Sequence, residues 1–416
     1  VFRADVTGDD GPPSRHRRRG RLPRRFGSRK IPFRFEKELT SDGRGSSRGC
    51  FFIQGAPPMT KNVFDTIRSG DFERLSAELT GGVDLSVTES GGVTPLMAAA
   101  VNAPADILRQ MIKAGADVNA ADENGLTALF FAAGQNPDLQ SVAALIDAKA
   151  DVNARDARDA TPLMYAAMMN PKPETADCLI ENGARISDKD KDGMTALMWA
   201  AKENPNPAMC ALLFDCTADI SALENNFGAT VLMSAAKENP NPAVVTLLIA
   251  MGANVNARTK NGITALMLAC GKNKNPAVVE ALLAGGANAG QTDKDGMTAL
   301  MYAAQDNINP TVVDLLVRHG ADVNAKTNKG ATAILLAATQ NPAPAVIHAL
   351  VKNGANIRDR DDVLSAPAVF WAAAKNPNPR VLDALLTEGA STHERFDGKT
   401  LLMAAAGSWG IFGRKR

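Results

Sequence analysis

A short phrase, Thr-Ala-Leu-Met-x-Ala-Ala or a near copy, returns ten times along the chain, beginning at Thr94, Thr127, Thr161, Thr195, Thr230, Thr264, Thr298, Thr332, Pro367 and Thr400. The first and last copies stand 306 residues apart in nine steps, a mean period of 34. A period of this size means a stack of helical units in which no unit buries its apolar faces alone, so each depends on its neighbours. The repeat therefore predicts an all-α solenoid.

Each copy reads as backbone chemistry. Thr94 and Thr161 precede Pro95 and Pro162; a Thr hydroxyl caps orphan N–H groups, and Pro at the first helical position needs no donor. The helix that follows is about nine residues long, too short to persist alone. Pairs such as Ala132-Ala133, Ala200-Ala201 and Ala303-Ala304 give it small faces for close packing. It ends at Asn204-Pro205-Asn206-Pro207, Asn239-Pro240-Asn241-Pro242 and Asn376-Pro377-Asn378-Pro379, with looser forms at Asn170-Pro171, Asn275-Pro276, Asn309-Pro310 and Asn341-Pro342. The first Pro stops the helix and pushes its preceding Asn out of the α region. The second Asn-Pro reads as the cap and first residue of a second helix. That helix carries apolar pairs such as Val244, Val245, Leu247 and Leu248. It closes on Gly at Gly115, Gly183, Gly252, Gly286, Gly320, Gly354 and Gly389, the residue that takes a left-handed end without steric cost.

The order Asp-x-x-Gly-x-Thr-Pro/Ala-Leu, short helix, second helix, then Gly-Ala-Asp-Val-Asn-Ala, as at Gly115–Ala120 and Gly320–Ala325, resembles the ankyrin repeat. The resemblance covers about residues 60 to 406. It implies an ankyrin-repeat solenoid of stacked helix pairs joined by short hairpin loops, with the first helices lining a concave face. Two departures stand out. The His that usually follows Thr-Pro-Leu is Met97, Met164, Met198, Met233, Met267, Met301 or Met403, or else Phe130, Leu335 or Phe370, which predicts apolar packing in place of a polar inter-repeat contact. The Asn-Pro junction accounts for the one-residue excess over the family's usual period. Lys149 and Thr217 occupy places where Gly is expected to close a helix, Ser365 replaces a turn Gly, and an extra residue precedes Gly228.

The ends differ from the array. Residues 59–90, with Phe64, Ile67, Phe72, Leu75 and Leu79 among polar residues, read as an N-terminal capping helix pair, followed by the array over 91–406. Residues 407–416 form a short tail: either it folds over the last apolar face or the chain is cut short. Residues 1–58 hold 14 Lys+Arg against 6 Asp+Glu, a formal +8, while the whole chain carries only +1. Three readings of that segment remain open: upstream sequence that is not native, a disordered extension, or an Arg-rich tail that contacts an anionic surface or nucleic acid. Met59 lies just before the expected cap, and no Met precedes it.

No nucleophile elbow, His-Glu-x-x-His, phosphate loop or dinucleotide fingerprint occurs. The five cysteines, at 50, 178, 210, 216 and 270, show neither zinc spacing nor a disulfide framework. The sequence therefore predicts no catalytic, cofactor-binding or metal-binding residues. What varies is the position after the Leu-Met pair, which holds Phe131, Tyr165, Trp199, Tyr302 and Trp371, and so contains both Tyr and two of the three Trp of the chain. With Lys202, Glu203 and Lys237 beside it, this row reads either as packing between first helices or as a partner-binding face. The function expected is a non-catalytic scaffold holding another protein on the concave face; the alternative is the targeting part of a larger enzyme or effector. No cofactor, no membrane insertion, no nucleic acid unless the Arg cluster is native, a monomeric state and a cytoplasmic location complete the expectation.

Overall fold

A computed structural model of the chain describes residues 63–406 apart from residue 217. Among these residues stand twenty-one helices in succession and one two-stranded ribbon, Arg395–Phe396 with Lys399–Thr400. Helices alternate between two layers. First helices such as Ala196–Glu203, Val231–Glu238 and Ala265–Lys272 pack on one another, and second helices such as Pro207–Asp215, Pro242–Ala250 and Pro276–Ala284 do the same. The helices Val63–Ser69 and Phe72–Thr80 stand first in the stack, with Phe64, Ile67 and Leu75 buried. One apolar core runs through the whole stack, as the period requires.

The Thr residues cap as their chemistry predicts, with a qualification. The hydroxyls of Thr94, Thr161, Thr195, Thr230, Thr264, Thr298 and Thr400 accept the third helical N–H. Those of Thr127 and Thr332 do not, and are buried without a partner. These are the two Thr-headed units whose third helical residue is Phe130 or Leu335 instead of Met. Met97, Met164, Met198, Met233, Met267 and Met301 are buried, and four of them add a contact within their own unit. The sulfurs of Met97, Met233, Met267 and Met301 each accept the N–H of their own capping Thr at 3.4–3.5 Å, a weak bond that Phe and Leu cannot make.

The Asn-Pro junction does more than break a helix. Asn136, Asn170, Asn204, Asn239, Asn273, Asn307, Asn341 and Asn376 form a ladder through the stack. Each side-chain oxygen accepts the N–H two residues later. Each amide NH2 donates to carbonyls of the preceding unit. Asn239, fully buried, reaches the carbonyls of Ala201 at 2.9 Å and Asn204 at 2.7 Å. The second Asn forms a shallower rung: Asn206 and Asn241 cap the second helix and donate to Pro171 and Pro205 carbonyls, each at 2.7 Å. Buried backbone groups must be paired, and an amide, donor and acceptor at once, pairs groups on two units.

The closing glycines are left-handed, with φ between 85° and 98° at the seven expected positions. Lys149 takes φ 68° in the same place, and Ser365 takes φ 55° at a turn. Asp159, at φ 62°, is a third non-glycine substitute that the sequence reading did not single out. Thr217, the Arg-rich segment and the tail after Ala406 lie outside the described residues. The last helix, Leu401–Ala405, leaves Leu402 79 % exposed.

Candidate functional site

Along the first helices, one position per unit is half-buried: Phe131, Tyr165, Trp199, Ser234, Leu268, Tyr302, Leu336 and Trp371. Beside Trp199, Ser234 and Leu268 the neighbours one turn on include charged residues. Lys202 is bonded to Glu203 at 2.7 Å and Lys237 to Glu238 at 2.8 Å, while Lys272 reaches Asp306 of the next first helix at 2.7 Å. All eight residues singled out from the sequence therefore lie on the exposed side of the first-helix layer. The Lys202 ammonium stands 4.7 Å from the centre of the Trp199 ring, and Lys375 stands 4.9 Å from that of Trp371. The Phe130 and Tyr165 rings form a T-shaped pair with centroids 5.1 Å apart.

Sequence reasoning missed the partner of these rings. The Tyr165 hydroxyl donates to Asp156 at 3.1 Å and the Tyr302 hydroxyl to Asp293 at 2.7 Å. The indole N–H groups of Trp199 and Trp371 donate to Asp190 and Asp361, each at 3.0 Å. Each Asp opens the hairpin loop nine or ten residues before its ring. Its second oxygen accepts backbone N–H groups of that loop, as Asp190 does from Asp192 and Met194. A signal existed in the sequence: Asp precedes every Tyr or Trp in the row, whereas Thr259 and Thr327 precede Leu268 and Leu336. The exception is Phe131, which has no donor. Asp122, nine residues before it, is 6 % exposed, and one of its oxygens is buried with no partner.

Burial, with the adjoining carboxylate, holds both Tyr hydroxyls well above their ordinary range. Burial also pushes the Asp190 carboxyl up. The Cys210 thiol is pushed up to about 12 by burial, and Cys270 is raised further by the same cause, which leaves both as core thiols without nucleophilic character at neutral pH. Among the described residues no group of three His, Cys, Asp or Glu is placed to hold a metal ion, and no helix is long and apolar enough to cross a membrane.

A family model described as ankyrin repeats, in three copies, matches residues 65–156, 133–224, 206–288 and 266–361. The chain belongs to the ankyrin repeat family. Ankyrin repeats are in general protein-interaction modules and typically non-catalytic. A crystal structure of the human ASB11 ankyrin repeat domain is 23 % identical, covering 54 % of this chain and 98 % of that one, with a TM-score of 0.47; a likeness at that level carries no argument about partner or site. None of the curated proteins matches the chain.

Proposed function

We propose that this chain is a non-catalytic scaffold that holds a partner protein against the exposed side of its first helices, the concave face in ankyrin solenoids. The observation that carries the reading is the row from Phe131 to Trp371, in which rings and leucines, interrupted at Ser234, stay half-exposed, while the ions beside Trp199, Ser234, Leu268 and Tyr302 include Lys202–Glu203, Lys237–Glu238 and Lys272–Asp306 pairs. Half-exposed aromatic groups inside a neutralised polar rim match the composition of protein interface centres.

The test is capture of the partner by the full chain and its variants, with unfolding measured on the same samples. Trp199→Ala and Tyr302→Ala are expected to weaken binding by about 1 to 3 kcal/mol each. Tyr302→Phe removes only the bond to Asp293, so it separates loss of the ring from loss of the bond. Glu181→Lys, on an exposed second-helix position, is expected to leave binding unchanged. The reading is abandoned if the Ala variants lower stability while affinity per folded molecule stays constant.

A further inference from the structure

The four ring-to-carboxylate bonds share one construction. In each, one Asp joins the backbone of a hairpin loop to the polar tip of a ring on the helix that follows. Asp156 accepts Arg158 and Ala160 N–H, each at 2.8 Å, with one oxygen and Tyr165 with the other. Asp293 accepts Asp295 and Met297 N–H, each at 2.9 Å, and Tyr302. The loops are in turn tied to one another by backbone bonds, such as Lys191 N–H to the Arg158 carbonyl and Asn225 N–H to the Asp192 carbonyl, each at 2.9 Å. A ring fixed to its loop is thus fixed to the whole row of loops.

We propose that Asp156, Asp190, Asp293 and Asp361 are positioning residues of the binding face, which lock the orientation of Tyr165, Trp199, Tyr302 and Trp371 and withdraw the hydrogen-bond donor of each ring from any partner. Indole has one N–H and no acceptor, so Trp199 and Trp371 are left with carbon surface alone. A partner side chain meeting them finds an apolar platform in fixed register. The bearing of this on binding rests on the scaffold reading above; the locking itself does not.

Asn in place of Asp distinguishes the two ring types. The amide oxygen still accepts the loop N–H groups, but an NH2 now stands where the second oxygen was. Opposite Tyr, the hydroxyl turns and accepts; opposite Trp, donor faces donor. Asp190→Asn therefore releases Trp199, whereas Asp293→Asn keeps Tyr302.

The experiment uses the full chain labelled with 15N, following the indole N–H signals of its three Trp residues, assigned with Trp199→Phe and Trp371→Phe. Expected in the unaltered chain is a Trp199 indole N–H that exchanges with solvent on the order of tenfold or more slower than in the denatured chain, as a retained charge-assisted bond implies. Asp190→Asn abolishes that protection and raises quenching of Trp199 fluorescence by acrylamide, while Trp371 stays unchanged. Exchange in the unaltered chain as fast as in the denatured one overturns the proposal, even if Asp190→Asn fails to fold. So does an indole N–H whose protection Asp190→Asn leaves in place. None of these readings requires a partner, so failure of the scaffold reading leaves a different record: locked rings and no effect of Trp199→Ala on capture.

Discussion

Phe131→Tyr is expected to stabilise the unit it belongs to, because the structure holds a vacant acceptor for the new hydroxyl. Asp122 gives one oxygen to the N–H groups of Asn124 and Leu126, each at 2.8 Å, and its other oxygen is buried with no partner. One unit on, Asp156 makes the same loop bonds at the same length, and Tyr165 fills the second oxygen at 3.1 Å. A hydrogen bond to a charged group contributes about 1.5 to 3 kcal/mol net. The length of the Tyr165 bond favours the lower end, so about 1.5 kcal/mol is expected, close to a tenfold change in an equilibrium constant. A solenoid can open one unit at a time, so the assay is local. Hydrogen exchange of the Asn124 and Leu126 amides is expected to slow about tenfold if opening costs that much more. Tyr165→Phe creates the same orphan at Asp156 and is expected to speed exchange of the Arg158 and Ala160 amides by a similar factor. Unchanged or faster exchange at Asn124 and Leu126 in folded Phe131→Tyr would refute the reasoning, since a buried carboxylate oxygen would then be indifferent to a donor.

Burial and the facing carboxylates raise both Tyr hydroxyls, and the chain has no other Tyr, so its phenolate absorbance is expected to show no component near the ordinary value of about 10 while the fold persists. Their contribution to stability is fully present below the unfolded value and is lost as pH rises through the folded one; a native-state component near 10 contradicts this. Asn239→Ala leaves the Ala201 and Asn204 carbonyls and the Asn241 N–H without partners, and at a minimum of about 1 kcal/mol for each it is expected to cost about 3 kcal/mol or more in urea unfolding. Asn241→Ala removes a half-buried cap and is expected to cost about 1 kcal/mol. Thr298→Val loses a cap bond of 3.3 Å and is expected to cost about 1 kcal/mol. Thr127→Val removes an already orphaned hydroxyl and is expected to be neutral or stabilising in the same melts.

What the sequence revealed and what it concealed divide along a physical line. The period, the Thr caps, the second Asn-Pro as a helix start and the left-handed glycines are local rules, and each can be read from a few adjacent residues. The Asn ladder is not local. Asn204 breaks a helix in its own unit, and that role is visible beside Pro205, but its amide reaches Ala167 and Asn170, 37 and 34 residues back. Nothing in the neighbourhood of Asn204 names those carbonyls. Register between units fixes them, and register becomes visible only when all copies are laid on one another. The row of rings has the same character. Trp199 reads as an exposed aromatic until Asp190 is seen to take its N–H, and the pairing shows in the sequence only as a correlation across units, Asp with Tyr or Trp and Thr with Leu.

That correlation bears on how the face is built. A side chain that served only to fill space between first helices would need no carboxylate, as Leu268 and Leu336 show beside Thr259 and Thr327. A ring free to meet a partner by any contact would keep its donor available. Tyr165, Trp199, Tyr302 and Trp371 do neither: each is half-buried, and each spends its donor inside its own unit. Burying part of a carboxylate to hold a ring costs desolvation free energy, which the raised Asp190 carboxyl records. The backbone N–H groups that the same Asp satisfies offset part of that cost. The expense is intelligible where ring orientation matters, and it is absent from the Thr and Leu units where no ring has to be aimed.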